Sequence, residues 1–195
     1  METLPLINRT RLLTRDHSVL IVIDLQERLA PAIEGIAPVL SNAERLMLAA
    51  ERLSVPMLVT EQYPKGLGHT VADLQGALGP ARILEKTTFG ALADPAMEEA
   101  CREQVQAGRS DFVILGTEAH VCVLQTAMQI LAQGWHLAVV EDACGSRQTA
   151  DKSAALERLQ SAGAQRVTTE MVLFEWLERA ATPEFRDLLP LIRDA

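Results

Sequence analysis

Short apolar runs recur along this chain, and each is followed by a stretch with helical periodicity. Val19-Leu20-Ile21-Val22-Ile23 is the first run, ending at Asp24; Met57 to Thr60, Arg82 to Glu85, Asp111 to Leu115, His136 to Val140 and Arg166 to Thr168 follow. Several are continuously apolar rather than alternating in polarity, which marks strands covered on both faces. Between them lie Pro38 to Leu53, Pro95 to Ala107, Cys122 to Gln133, Thr149 to Ala162 and Met171 to Ala180, read as helices. Leu40, Leu46, Leu48 and Leu53 form the expected buried stripe of the first. Gly134 and Gly163 stand where caps close the third and fourth. Strands alternating with helices of roughly ten to fifteen residues join in parallel. Right-handed crossovers then put helices on both faces of the sheet, giving an α/β fold of the doubly wound, three-layer α/β/α kind.

With 195 residues, 48% of them hydrophobic, the chain has the apolar material for one compact domain over residues 1–195. No internal repeat, low-complexity tract or Ser/Pro-rich linker divides it. A net charge of −8 argues against nucleic-acid or anionic-membrane partners, which require a basic face. No apolar stretch reaches the roughly 18 residues of a membrane span. Arg9, Arg11 and Arg15 follow a short apolar patch rather than preceding a long one, unlike a signal peptide. The cytoplasm is therefore the expected location. Cys101, Cys122 and Cys144 are odd in number, scattered and without a Cys-x-x-Cys pair. Free thiols in a reducing compartment fit that pattern better than a disulfide framework or a zinc knuckle.

Open doubly wound sheets bind ligands outside the carboxyl ends of their strands, at the point where strand order reverses. Asp24, Lys86 and Cys122 each stand at or just past such an end. Cys122 falls in the first turn of the helical segment after the Gly116-Thr117 break. Unpartnered backbone N–H groups and the helix dipole at such a position favour the thiolate. A thiol, a carboxylate and an ammonium in one cleft suit acyl transfer. Asp24 would take the thiol proton, the sulfur would attack a carbonyl carbon, and Asp24 would return the proton to the leaving amine. Lys86 would hold the carboxylate in place and stabilise the thiolate. The backbone N–H groups of Glu118 and Cys122 would face the oxyanion. Water would release the thioester, with no metal or organic cofactor in the sequence of steps. Each residue alone has a plainer reading, as a turn-capping Asp, a solvated Lys and a small buried Cys. Their coincidence at three strand ends is what points to a site.

Four pieces of the sequence carry a resemblance: Ile21-Val22-Ile23-Asp24-Leu25-Gln26, Glu85-Lys86-Thr87-Thr88-Phe89, Leu115 to Val123 with Gly116 and Cys122 at fixed spacing, and Val140-Glu141-Asp142-Ala143-Cys144. In this order they resemble the isochorismatase-like cysteine hydrolases, over nearly all the chain from about His17 onward. The segment Thr60-Glu61-Gln62-Tyr63-Pro64-Lys65-Gly66-Leu67-Gly68 is similar to the branch called isochorismatase domain-containing proteins. The resemblance implies a parallel six-stranded sheet in the order 3-2-1-4-5-6 and a triad of Asp24, Lys86 and Cys122. It implies a small-molecule substrate and a homo-oligomer, a dimer or larger. It also implies a non-proline cis peptide at Thr117–Glu118, a bond about 3–4 kcal/mol above trans. Nicotinamidases of the family bind a metal through an Asp-x-His motif and a later His after the second strand. Here that stretch reads Thr60-Glu61-Gln62-Tyr63 with only His69 nearby, too few ligands for a stable zinc site. No metal is expected, and nicotinamide is disfavoured as substrate. Members that cleave the vinyl ether of isochorismate share the fold, some without the cysteine. Retention of Cys122 favours hydrolysis of a small amide, ureido or related C–N bond. The alternatives are vinyl-ether hydrolysis with Asp24 as acid, and a non-catalytic metabolite-binding or redox-regulated scaffold.

The remaining features bear on the pocket and the surface. The Gly/Pro-rich segment Glu61 to Thr70 has no phosphate-loop pattern and reads as a mobile loop. If it closes over the site as a lid, Gln62 and Tyr63 face the substrate. Phe89 either walls the pocket or packs in the core; Gln26 and Ala119 complete the expected pocket. His120 points away from Cys122 on a helix and serves as a cap or substrate contact rather than the base. Cys101 is expected to pack in the core, and Cys144 to be structural or on the site's rim. Trp135 and Trp176 are core or interface residues. The tail from Thr182 to Ala195 carries Phe185, Leu188, Leu189, Leu191 and Ile192, a stripe that covers the core or a partner subunit.

Overall fold

The computed structural model describes residues 12–193. The reading of the segment before Leu12 as something other than a signal peptide, and that of Asp194 and Ala195 at the end of the tail, lie outside the described residues. Six strands form one parallel sheet: β1 (Ser18–Ile23), β2 (Met57–Gln62), β3 (Arg82–Lys86), β4 (Asp111–Thr117), β5 (His136–Gly145) and β6 (Gln165–Val167). Their order is β3-β2-β1-β4-β5-β6, so the order reverses between β1 and β4, as the sequence led us to expect. Ligands bind at that point in sheets of this kind.

Every residue of β1 is buried, because the strand is covered on both sides. Leu20 and Val22 enter one core, while Val19, Ile21 and Ile23 enter the other. Helices α1 (Ile36–Arg52), α6 (Thr169–Leu177) and α7 (Pro183–Arg193) cover the first face. Helices α3 (Pro95–Gln106), α4 (Leu124–Ala132) and α5 (Thr149–Ala162) cover the second, and α2 (Pro64–Leu67) is a single turn in the loop after β2. Each fully buried aliphatic side chain on β1 contributes about 1.5–3 kcal/mol relative to exposure. Among the described residues no helix is long and apolar enough to cross a membrane.

Local chemistry sets the element ends. The Asp94 side chain accepts the Ala96 N–H and Pro95 opens α3, a position where its missing N–H costs nothing. Gly134 and Gly163 take the left-handed conformation just past α4 and α5. Helix α1 packs through Val39, Ala43, Leu46, Met47 and Ala50, with Leu40 and Leu48 only partly buried. The small alanines let its backbone approach the sheet. Leu188 is buried and Phe185, Leu191 and Ile192 pack against the first core, so the apolar tail covers this chain's own core. Trp176 is fully buried and its indole N–H donates to Ser18 Oγ at 2.9 Å. The Trp135 ring lies 5.1 Å from that of Phe112.

The strands β4 and β5 run beyond their expected ends, to Thr117 and Gly145. Gly116 makes the extension of β4 possible. It sits at φ 132° where the β4–β5 register shifts. A Cβ there would lie 2.1 Å from the Ile23 carbonyl oxygen of β1.

Candidate active site

Parallel pairing brings the carboxyl ends of β1, β2, β3 and β4 to one edge of the sheet. Ile23 is in register with Thr60 and with Gly116, and Gln62 with Lys86. The residues at or just past those ends, including Asp24, Lys86 and Thr117, therefore meet although they are far apart in sequence. Asp24 ends β1 at φ 51°, a left-handed conformation that Asp tolerates better than most residues. It is held there by the Thr117 hydroxyl, which donates to the Asp24 carbonyl at 2.6 Å.

The Asp24 carboxylate is 0% exposed and accepts on both oxygens. The Thr60 hydroxyl donates to Oδ1 at 2.6 Å, and Lys86 Nζ donates to Oδ2 at 2.7 Å. The Cys122 thiol, 4% exposed, lies close enough to feel the charge of the same carboxylate. The three residues picked out at strand ends thus share one buried cluster. Thr60 is a member that the sequence reading missed. Nothing in the sequence marks it, because its role depends on the pairing of β2 with β1.

The state of the thiol differs from expectation. Burial, and then the negative charge of Asp24, push the Cys122 thiol up to about 12, against a smaller lowering by Lys86. At rest it is a neutral thiol beside a carboxylate, not a thiolate. The expected helix start is also modified, because a wide π-helical turn over Ala119–Val123 precedes α4. Desolvation and a nearby anion outweigh whatever the turn's N–H groups contribute. Cys101 and Cys144 are likewise pushed up to about 12 by burial, and both are packed in the core.

Every peptide bond among the described residues is trans, which corrects the cis bond expected at Thr117–Glu118. The chain changes direction instead through Gly116 at φ 132° and Glu118 at φ 18°, ψ 86°. The amides of Glu118 and Cys122, expected to face an oxyanion, both belong to the turn that follows, and that turn has no side-chain cap. The Glu118 carboxylate pairs with Arg147 at 3.0 Å. His120 bonds Ser146 Oγ at 3.0 Å and lies 3.6 Å from the Glu118 carboxylate.

The expected pocket residues divide. A cleft of about 320 Å³ is lined by Tyr63, Pro64, Lys65, Glu85, Lys86, Thr87 and Asp94, and so lies on the Lys86 side of the cluster. Tyr63 belongs to it and is half exposed. Phe89 is 56% exposed and neither lines this cleft nor packs in the core. Ala119 is buried beside Cys122 in the second core, away from the cleft walls. Gln26 is fully buried, and its amide is bonded to the backbone of Gln62 and Gly68, so it fastens a loop rather than lining a pocket. Gln62 faces Lys86.

The loop after β2 is likewise tied down rather than free. Gln26 and Thr70 form a bridge, Glu27 N donates to His69 O, and Arg28 N donates to Leu67 O. The Glu61 carboxylate receives the Thr70 N–H and hydroxyl on one oxygen and the His69 ring on the other. Burial pushes the Glu61 carboxyl up, but the bonds from Thr70 and His69 outweigh it and hold it below its ordinary value. The His69 ring is raised above its ordinary value, first by its bond to Glu61. Among the described residues, no cluster of three or more His, Cys, Asp or Glu side chains is gathered as a metal centre requires.

A parallel sheet in this order, with a carboxylate, an ammonium and a thiol at the switch point, defines a doubly wound α/β protein with a candidate reactive site where the strand order reverses. The chain belongs to the isochorismatase family: residues 18–171 match the family model described as Isochorismatase domain. It is 36% identical over 179 residues to isochorismatase domain-containing protein 2A of Mus musculus, spanning 92% of this chain and 84% of that protein. It is 36% identical to isochorismatase domain-containing protein 1 of Danio rerio over 90% of this chain, which spans only 61% of that longer protein. A solved structure titled MAR1 ribonuclease, from Caenorhabditis elegans, superposes with a TM-score of 0.86 at 36% identity, covering 93% of this chain and 92% of that one.

Proposed function

We propose that this chain is a metal-independent cysteine hydrolase that cleaves a small amide, ureido or related C–N substrate. Membership of the isochorismatase family supports a hydrolase. The observation that carries the finer reading is the single buried carboxylate of Asp24, bonded to the Lys86 ammonium and close to the Cys122 thiol.

In this reading the thiol proton moves to Asp24 as the sulfur closes on the substrate carbonyl carbon. A thiol held up to about 12 is a poor source of free thiolate at neutral pH, so transfer and attack proceed together, with the carboxylate as general base. Lys86 offsets the negative charge that develops, and the amides of Glu118 and Cys122 receive the oxyanion. Collapse of the tetrahedral adduct breaks the C–N bond, and Asp24 passes its proton to the leaving nitrogen. Water then attacks the thioester, giving a proton to Asp24. The C–S bond breaks, and that proton returns to the sulfur. The ribonuclease named for one solved relative is a different chemistry. A chain of net charge −8, with a carboxylate at its centre, is poorly suited to a polyanionic phosphodiester.

The test is ammonia release from a panel of small primary amides and ureides by the wild-type chain, Cys122→Ser and Asp24→Asn. Turnover that withstands a chelator and falls on the order of 10³-fold or more in both variants is the expected result. Turnover that survives in Cys122→Ser refutes the reading.

A further inference from the structure

Lys86 Nζ donates to three oxygens: Asp24 Oδ2 at 2.7 Å, Gln62 Oε1 at 2.6 Å and the Thr88 carbonyl at 3.3 Å. The Gln62 bond is the shortest of the three. Gln62 is itself held at every polar point that matters for its orientation. Its side-chain amide donates to the Thr87 carbonyl at 2.9 Å. Its backbone N–H donates to Gln26 Oε1 at 2.7 Å, and its carbonyl accepts from Gln26 Nε2 at 3.0 Å. Gln26 Nε2 also reaches the Gly68 carbonyl at 2.6 Å. Since Gln26 lies two residues beyond Asp24 in the chain, the contacts close a ring. It runs from Asp24 through Gln26, Gln62 and Lys86, and back to Asp24.

We propose that Gln62, clamped by Gln26, is a positioning residue that holds the Lys86 ammonium against Asp24 and beside Cys122. The proposal rests on the reading of Asp24, Lys86 and Cys122 as the reacting set. Oxygen and nitrogen of the Gln62 amide both already have partners within the chain, which argues for a brace rather than a substrate contact. A buried ammonium is costly unless acceptors satisfy its protons. Removing the Gln62 oxygen leaves Lys86 with Asp24 and one long contact. The ammonium then swings toward water. That withdraws positive charge from beside the sulfur, and the Lys86 charge is what favours the Cys122 thiolate.

The test follows alkylation of the three cysteines of the folded chain by iodoacetamide between pH 7 and 9, quantified after quenching and digestion by peptide mass spectrometry. Lys86→Gln, which removes the charge, slows Cys122 by about tenfold at fixed pH, the equivalent of roughly one pKa unit. Gln62→Met, near-isosteric but without an acceptor, slows Cys122 in the same direction. Gln62→Asn, one methylene shorter and still polar, does the same and keeps the test open if the Met variant does not fold. Cys101 and Cys144 serve as internal standards. Loosening of the whole fold speeds all three thiols and loosening at the site speeds Cys122, whereas loss of positioning slows Cys122 by itself. If Lys86→Gln slows Cys122 and both Gln62 variants leave it unchanged or faster, the positioning role is overturned and the triad stands. If Lys86→Gln has no effect, the triad reading fails and the proposal falls with it.

Discussion

Lys86 Nζ lies 2.7 Å from Asp24 Oδ2 across 62 residues of sequence, with both side chains closed off from solvent. A pair this deeply buried gives up hydration on both ions, and its attraction recovers that cost only while both partners are present. Removing one partner strands the other. Lys86→Met alone is expected to lower unfolding free energy by about 3–5 kcal/mol. Adding Asp24→Asn to it should restore a substantial part, because no ion is then left unpaired. Urea unfolding of the two single variants and the double variant measures the coupling. Strictly additive losses would show that the two groups do not share their energy.

Thr60 holds the second oxygen of the same carboxylate at 2.6 Å inside the core. Thr60→Val preserves shape and removes only that donor. We expect a loss of about 1.5–3 kcal/mol, the range for a hydrogen bond to a charged group, measured as a shift in urea midpoint at constant slope. A loss of a few tenths would mean that Asp24 finds another donor.

Gly116 allows β4 to pass close against β1. A methyl group there meets the Ile23 carbonyl oxygen at 2.1 Å and the Ile23 nitrogen at 2.7 Å, and backbone atoms cannot step aside. Gly116→Ala should therefore exceed the usual range of about 0.5–3 kcal/mol for a point substitution. Expression with a normal thermal midpoint would contradict this account of the strand junction.

The clasp between Glu61 and His69 makes the loop after β2 sensitive to pH. His69 is raised above 6.5 in the folded chain. Its contribution is fully present below that value and disappears as pH rises through the folded one. Glu61 is lowered below 4.5, so its contribution is present above that value and disappears as pH falls through the folded one. The clasp is thus strongest from about pH 4.5 to 6.5. Hydrogen exchange of the loop amides in wild type and His69→Gln should differ most near pH 5.5 and converge once the pH has risen past the folded His69 value. A difference independent of pH would rule out the ion pair as its source.

How far the sequence revealed this arrangement follows from what kind of physics each part depends on. Val19 to Ile23 had to be buried on both faces because no polar residue interrupts the run, and that fixed the parallel sheet and the strand ends carrying Asp24 and Lys86. The meeting of Asp24, Lys86 and Cys122 followed from the strand order that the family resemblance implies. Contacts set by side-chain geometry were not legible. Gln26 was expected at the substrate and instead ties the chain to Gln62 and Gly68, and Phe89 points to solvent. Thr60 escaped notice because a threonine in an apolar strand has no pattern of its own until its neighbour strand is known. The thiol was misjudged for a related reason. Proximity to a helix start is visible in sequence, whereas burial beside an anion is a property of the folded site.

The central claim is that the Cys122 sulfur carries the acyl group. Acid-quenched mass spectrometry of the intact chain after incubation with small amides and ureides, followed by peptide mapping, tests this directly. The account predicts an acyl mass gain confined to the peptide bearing Cys122 and absent from Cys122→Ser. An adduct on Cys101 or Cys144, or one that persists in Cys122→Ser, would contradict it.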